Sequence, residues 1–83
     1  MRNKKTDDDY RREHDARVAE GELLAQALVG RSEKAALRRA RKDGFKPEVL
    51  PIGESSWLQG DWNLNRIRLF VDENHRVVRA SAG

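Results

Sequence analysis

Cysteine is absent from these 83 residues, so neither a disulfide nor a thiolate metal site supports the fold, and no redox compartment follows. Long apolar runs are also missing. No segment approaches the roughly 20 apolar residues that a membrane span needs. The opening "MRNKKTDDDYRREHD" has no apolar core for a signal peptide, and a cytoplasmic location is expected if the chain is complete. An excess of one charge is lacking too: 17 basic residues face 14 acidic ones, for a net charge of +3. That balance describes a mixed, solvated surface with only a mild pull toward anionic partners. Aromatics are few, with 2 Trp, 1 Tyr and 2 Phe, and both tryptophans, Trp57 and Trp62, fall in one unpatterned stretch.

What remains is one small domain with room for a tail. A chain this size buries only about 60% of its unfolded surface, so the core is thin and each large apolar residue counts. Residues 1–9 carry no hydrophobic residue after Met1 and read as a disordered terminus. From Tyr10 to Leu28, Tyr10, Val18, Leu24 and Leu28 fall at loosely helical spacing, and Asp7–Asp9 offer an N-cap and an acidic first turn. Gly21 interrupts the pattern, so the segment reads as a weak helix appended to the main fold.

"GRSEKAALRRARKDGFKP" holds the strongest helix signal. Ser32 is a good N-cap, Glu33 suits the positive helix start, and Arg41 and Lys42 suit the negative end. Gly44 can take the left-handed conformation that closes a helix, with Phe45 folding back as its apolar contact, and Pro47 prevents continuation. Ala36, Leu37 and Ala40 form a narrow apolar stripe whose small side chains imply close approach to a sheet. "EVLPIG" reads as a short strand, which Pro51 restricts to an end or an edge. In "RIRLFVD", Ile67, Leu69 and Val71 face one way and Arg66, Arg68 and Phe70 the other. "DENH" is a turn, and "RVVRASAG" supplies a last strand antiparallel to its predecessor.

The resulting expectation is an α+β domain, with one helix packed on a small mixed β-sheet and a long exposed loop. If the strands flanking that loop are parallel neighbours, their connection must cross over, which takes a dozen or more residues. Loops this long without secondary structure are usually functional or disordered.

"LVGRS", a helix, "VLPIG", a loop, "NRIRLFVD" and a final glycine together resemble the potato inhibitor I family of serine protease inhibitors. "GFKPEVLPIG", "GDW" and "NRIRL" are similar to its bacterial relatives. The likeness covers residues 28–83, leaving 1–27 as a disordered or weakly helical extension. It implies a substrate-like inhibitor and not an enzyme. In such an inhibitor an exposed loop, here about Gly53–Asn65, enters the protease cleft, braced by two strand arginines and the terminal carboxylate. A loop already held in its bound conformation loses little entropy on binding. Cleavage is slow when the leaving strand stays in place and can re-form the bond.

Carried over residue by residue, the resemblance makes Arg66 and Arg68 the braces and Gly83 the terminal glycine. Guanidinium groups suit the role because one planar fork holds several acceptors. Asp61 then follows the reactive bond, Gly60 precedes it, and Trp57, Leu58, Gln59 and Trp62 are the loop's contact residues. The family commonly presents a large side chain before the bond and Gly60 has none, so Leu58–Gln59 is the alternative bond. The Gly60–Asp61 frame keeps the spacing from acid to arginine. A subtilisin- or chymotrypsin-like serine protease is the implied partner of a monomeric chain, with no cofactor, metal, membrane or small-molecule substrate. The alternative is a non-inhibitory interaction module on the same scaffold with a degenerate loop.

Other readings have less support. The basic helix residues Arg31, Lys34, Arg38, Arg39, Arg41 and Lys42 invite nucleic acid, but no second basic element or aromatic sheet motif joins them. Adjacent aspartates at 7–9 point in different directions on a helix and make a poor metal site. His14 and His75 have no evident nucleophile or orienting acid for catalysis.

Overall fold

The computed structural model describes residues 6–53 and 63–83. Two helices and three strands follow in the order α1 (Asp7–Leu28), α2 (Glu33–Lys42), β1 (Lys46–Pro51), β2 (Arg66–Val71) and β3 (Val77–Ala82). The strands form one sheet in the order β1-β2-β3. β1 and β2 are parallel, with Lys46 opposite Arg66 and Pro51 opposite Val71. β2 and β3 are antiparallel, with Ile67 opposite Ala82. The α+β class and the mixed sheet are as expected, but two helices pack on the sheet.

α2 forms for the local reasons its sequence gives. The Ser32 hydroxyl accepts from the Ala35 N–H at 3.2 Å. At the other end Gly44, at φ +82°, turns the chain out of the helix. The Gly44 N–H donates to Arg41 O at 3.0 Å and the Phe45 N–H to Ala40 O at 2.9 Å. These two bonds are the Schellman pair that satisfies the last carbonyls. Phe45 folds back into the core.

α1 differs from its expectation. It runs for 22 residues without a break at Gly21. Its cap is Thr6 and not an aspartate. The Asp9 N–H donates to Thr6 Oγ1 at 3.2 Å and the Thr6 N–H to Asp9 Oδ2 at 3.1 Å, closing a capping box. Gly21 serves packing. A β-carbon there would lie 3.1 Å from Ala82 Cβ and 3.3 Å from the Phe45 ring, so the missing side chain lets α1 sit close on β3. Leu24, Ala25 and Leu28 follow at helical spacing into the core, whereas the helix is largely exposed from Asp7 to Ala16.

Both helices lie on one face of the sheet. Leu24, Ala25 and Leu28 of α1, Ala36 and Ala40 of α2, Phe45, Ile67, Leu69, Val71 and Val77 form a single cluster. The link between the helices is tied to the start of β3. The Gly30 N–H donates to Val77 O at 2.7 Å, the Val77 N–H to Arg31 O at 2.8 Å, and the Arg76 guanidinium to Gly30 O at 2.7 Å. No described helix is long and apolar enough to cross a membrane.

β1 is an edge strand of this sheet, as Pro51 implied. The Lys46 N–H donates to Asn65 O and the Ile52 N–H to Val71 O, so even-numbered residues aim their N–H at β2. Pro47 and Pro51 therefore occupy positions whose N–H would face outward, and both lack one. Because β1 and β2 are parallel, the connection between them joins opposite ends of the sheet, roughly 20 Å apart for strands of this length.

Candidate functional site

β2 is central and divides its side chains as the alternation requires. Ile67, Leu69 and Val71 enter the helix-covered core, while Arg66, Arg68 and Phe70 occupy the other face. Arg66 is the first residue of the strand and only 9% exposed. Its Nε donates to the main-chain oxygen of Gly83 at 2.7 Å. The Gly83 N–H returns a bond to Arg66 O at 3.0 Å. Side chain and main chain of one residue thus hold Gly83 from two directions. Gly83 is buried at φ +120°, a conformation open to glycine and strained for other residues.

Arg68 lies two residues on, on the same face, its side chain 14% exposed. Its Nε is 3.4 Å from Glu48 Oε1, on the residue paired with it across β1. Phe70 continues the row and is buried. The Arg79 guanidinium, from its cross-strand partner, stands 4.7 Å from the ring centroid. The pairing slips at this point, leaving Val78 half exposed, and Ile52, Gly53, Phe70, Val78 and Arg79 border a cavity of about 250 Å³.

Asn63–Asn65 form the foot by which the long connection enters β2. The Asn65 N–H donates to Asn63 Oδ1 at 2.9 Å, the side-chain turn that asparagine favours. The Arg66 N–H donates to Asn63 O at 3.3 Å, and Asn65 O accepts from the Lys46 N–H at 2.7 Å. A residue that sequence reasoning passed over also reaches this foot. Arg17 of α1 donates from Nε to Asn65 Oδ1 at 3.1 Å and from NH2 to Gly44 O at 3.0 Å. Its NH1 is 2.8 Å from Glu20 Oε2 and 3.4 Å from Asp43 O. The guanidinium carbon stands over the Phe45 ring, 3.7 Å from its centroid. No sequence pattern marks Arg17, because its partners other than Glu20 lie 26 to 48 residues away.

Of the residues singled out from sequence, Arg66 and Gly83 are brought together and Arg68 stands beside them. Trp57, Leu58, Gln59, Gly60, Asp61 and Trp62 lie outside the described residues. Of the basic residues singled out around α2, Arg39 has its Nε 3.0 Å from Asp43 Oδ2 at the helix end, and Arg31, which precedes the helix, donates from Nε to Ala27 O of α1 at 3.2 Å.

No family model matches the chain. No curated protein matches it either. Solved structures do. The crystal structure of bitter gourd trypsin inhibitor superposes with a TM-score of 0.59 at 23% identity, covering 69% of this chain and 85% of that one. That of the elastase inhibitor AFUEI superposes with a TM-score of 0.52 at 20% identity, covering 82% of this chain and 97% of that one. At such identities the likeness is one of architecture, and the architecture is a potato inhibitor I-like fold.

Proposed function

We propose that this chain inhibits a serine protease by substrate mimicry, with the connection from about Gly53 to Asn65 as the reactive loop. The observation that carries the reading is the Arg66–Gly83 clasp at the loop's C-terminal foot, in a fold shared with a trypsin inhibitor and an elastase inhibitor. An extended loop anchored at both ends of a parallel strand pair can occupy a protease cleft without first being ordered, which lowers the entropic cost of binding. Gly60–Asp61 is the proposed reactive bond, with Leu58–Gln59 as the alternative frame. Trp57, Leu58, Gln59 and Trp62 would meet the enzyme, and Arg66 and Arg68 would brace the loop from beneath. Glycine at 60 favours one rival reading, since it offers nothing to a specificity pocket: an interaction module that keeps the scaffold without inhibition.

A time course with trypsin, subtilisin, chymotrypsin and elastase, reading residual protease activity and intact inhibitor mass together, separates the two. Inhibition with one slow cut inside the loop is expected, and the cut site decides between the two frames. Rapid cutting within the loop, with none of the four enzymes inhibited, would sink the inhibitor reading.

A further inference from the structure

We infer that Arg17 of α1 is a positioning residue for the C-terminal foot of the loop, a role that rests on the inhibitor reading for its functional meaning. The foot is the segment Asn63–Asn65. Its own hydrogen bonds fold it into a turn, and the Asn65 O bond to Lys46 ties it to β1. Those bonds tie the main chain within the foot and to β1, and the Asn65 side chain offers an acceptor for a further tie to the helix layer. Arg17 makes that tie through the Nε bond to Asn65 Oδ1.

The arrangement needs arginine. One planar group meets Asn65 Oδ1, Gly44 O, Asp43 O and Glu20 Oε2 while stacking on Phe45. Five N–H donors in a rigid fork reach four acceptors in three places, α1, the end of α2 and the foot, with the guanidinium carbon over an aromatic ring. Lysine carries the same charge but is a compact point donor on a flexible stem, so it can satisfy one side of this junction at a time. Arg17 therefore joins three bodies: its own helix, the C-terminal cap of α2, and the foot of the loop. In the inhibitor reading the strand arginines brace the loop from the sheet face that bears Phe70, and Arg17 reaches its foot from the helix that overlies the opposite face.

The test is a double-mutant cycle of Arg17→Lys and Asn65→Ala, with Asn65→Asp as the conservative variant that keeps the acceptor. The first readout is amide hydrogen exchange at Asn65 and Arg66 in the free protein. Each substitution should speed exchange at these amides about three- to ten-fold, the range of one ordinary net hydrogen bond. The double variant should be no faster than either single one, and Asn65→Asp should stay protected. The second readout is the rate of cutting at the reactive bond, which should rise by a similar factor. Leu24→Ala is the control for loosened helix docking, since Leu24 is in the core and away from the foot. Additive effects, or a lower melting temperature with unchanged exchange at Asn65 and Arg66, would overturn the role and leave Arg17 as a helix-docking residue. If the unaltered protein inhibits no protease, the inhibitor reading fails alone, and the exchange cycle still decides whether Arg17 positions the foot.

Discussion

Gly21 of α1 and Ala82 of β3 meet so closely that a β-carbon on Gly21 would stand 3.1 Å from that of Ala82. Neither neighbour can easily withdraw. Ala82 is held in the ladder opposite Ile67, and the Phe45 ring on the other side lies under the Arg17 guanidinium. Gly21→Ala gains about 1 kcal/mol of helix propensity. It must also push α1 off β3, and overpacking of this kind costs about 1–3 kcal/mol. A net loss of about 1 kcal/mol is expected, measured by urea unfolding, with Gly21→Val losing more. A more stable Gly21→Ala would mean that α1 shifts without resistance.

Whether residues 1–27 are an appendage can be tested at Leu24, which sequence reasoning assigned to the extension and which sits in the common core. Leu24→Ala removes a buried side chain from the side of α1 that faces the sheet, and substitutions of this type cost about 2–5 kcal/mol. The full loss should appear in a single cooperative transition followed both by helix signal and by aromatic fluorescence. Separate transitions, with the fluorescence midpoint unmoved, would make α1 an independent unit.

These two residues also show where the sequence was legible. α2 was readable because each of its signals is local: Ser32, Gly44 and Phe45 act on neighbours within a few positions. β2 was readable because Ile67, Leu69 and Val71 recur at every second position and their common face is core. α1 gives a weak signal because its buried residues are confined to Gly21–Leu28, so the apolar stripe is short, and because glycine in a helix usually means poor helix. The close approach that makes Gly21 necessary depends on Ala82, 61 positions away, and no local pattern carries that. Arg17 was invisible for the same reason. The arginine alternation in β2 did point to the Arg66–Gly83 pairing, but only through the resemblance, because an alternating arginine by itself is most often a solvated charge.

Gly44 isolates the helix cap. At φ +82° a side chain is strained, whereas a β-carbon there would stand at ordinary contact distance, 3.5 Å, from Arg17 NH2. Gly44→Ala should cost about 1–2 kcal/mol from the left-handed backbone, and Gly44→Asn less, since asparagine tolerates that region. Equal losses for both variants, by thermal or urea unfolding, would show that the left-handed backbone is not the source of the cost.

The exposed edge of β1 carries its own protection. Prolines at 47 and 51 remove two N–H groups that would face outward, and edge strands with free donors invite pairing with other chains. Replacing both with threonine should leave the pairing with β2 intact, because that pairing uses the even-numbered residues. The double variant should self-associate as concentration rises, seen by sedimentation velocity. A monomer at millimolar concentration would show that the edge is protected by something other than missing donors.

Arg66 and Arg68 separate fold stability from loop bracing. Arg66 is buried and its side chain donates to Gly83 O at 2.7 Å, so Arg66→Ala leaves a buried acceptor without that donor. A charged hydrogen bond of this kind contributes about 1.5–3 kcal/mol, and unfolding should register a loss of that size. Arg68 pairs at 3.4 Å with a carboxylate whose side chain is 43% exposed. An exposed pair contributes about 0–1 kcal/mol, but the Arg68 side chain is itself only 14% exposed, so Arg68→Ala should lose some packing as well and lower the unfolding midpoint less than Arg66→Ala does. If both arginines brace the loop, the two variants should nevertheless be cut by chymotrypsin at similarly increased rates under folding conditions. Faster cutting in Arg66→Ala alone, in proportion to its lost stability, would confine Arg68 to its cross-strand pair with Glu48.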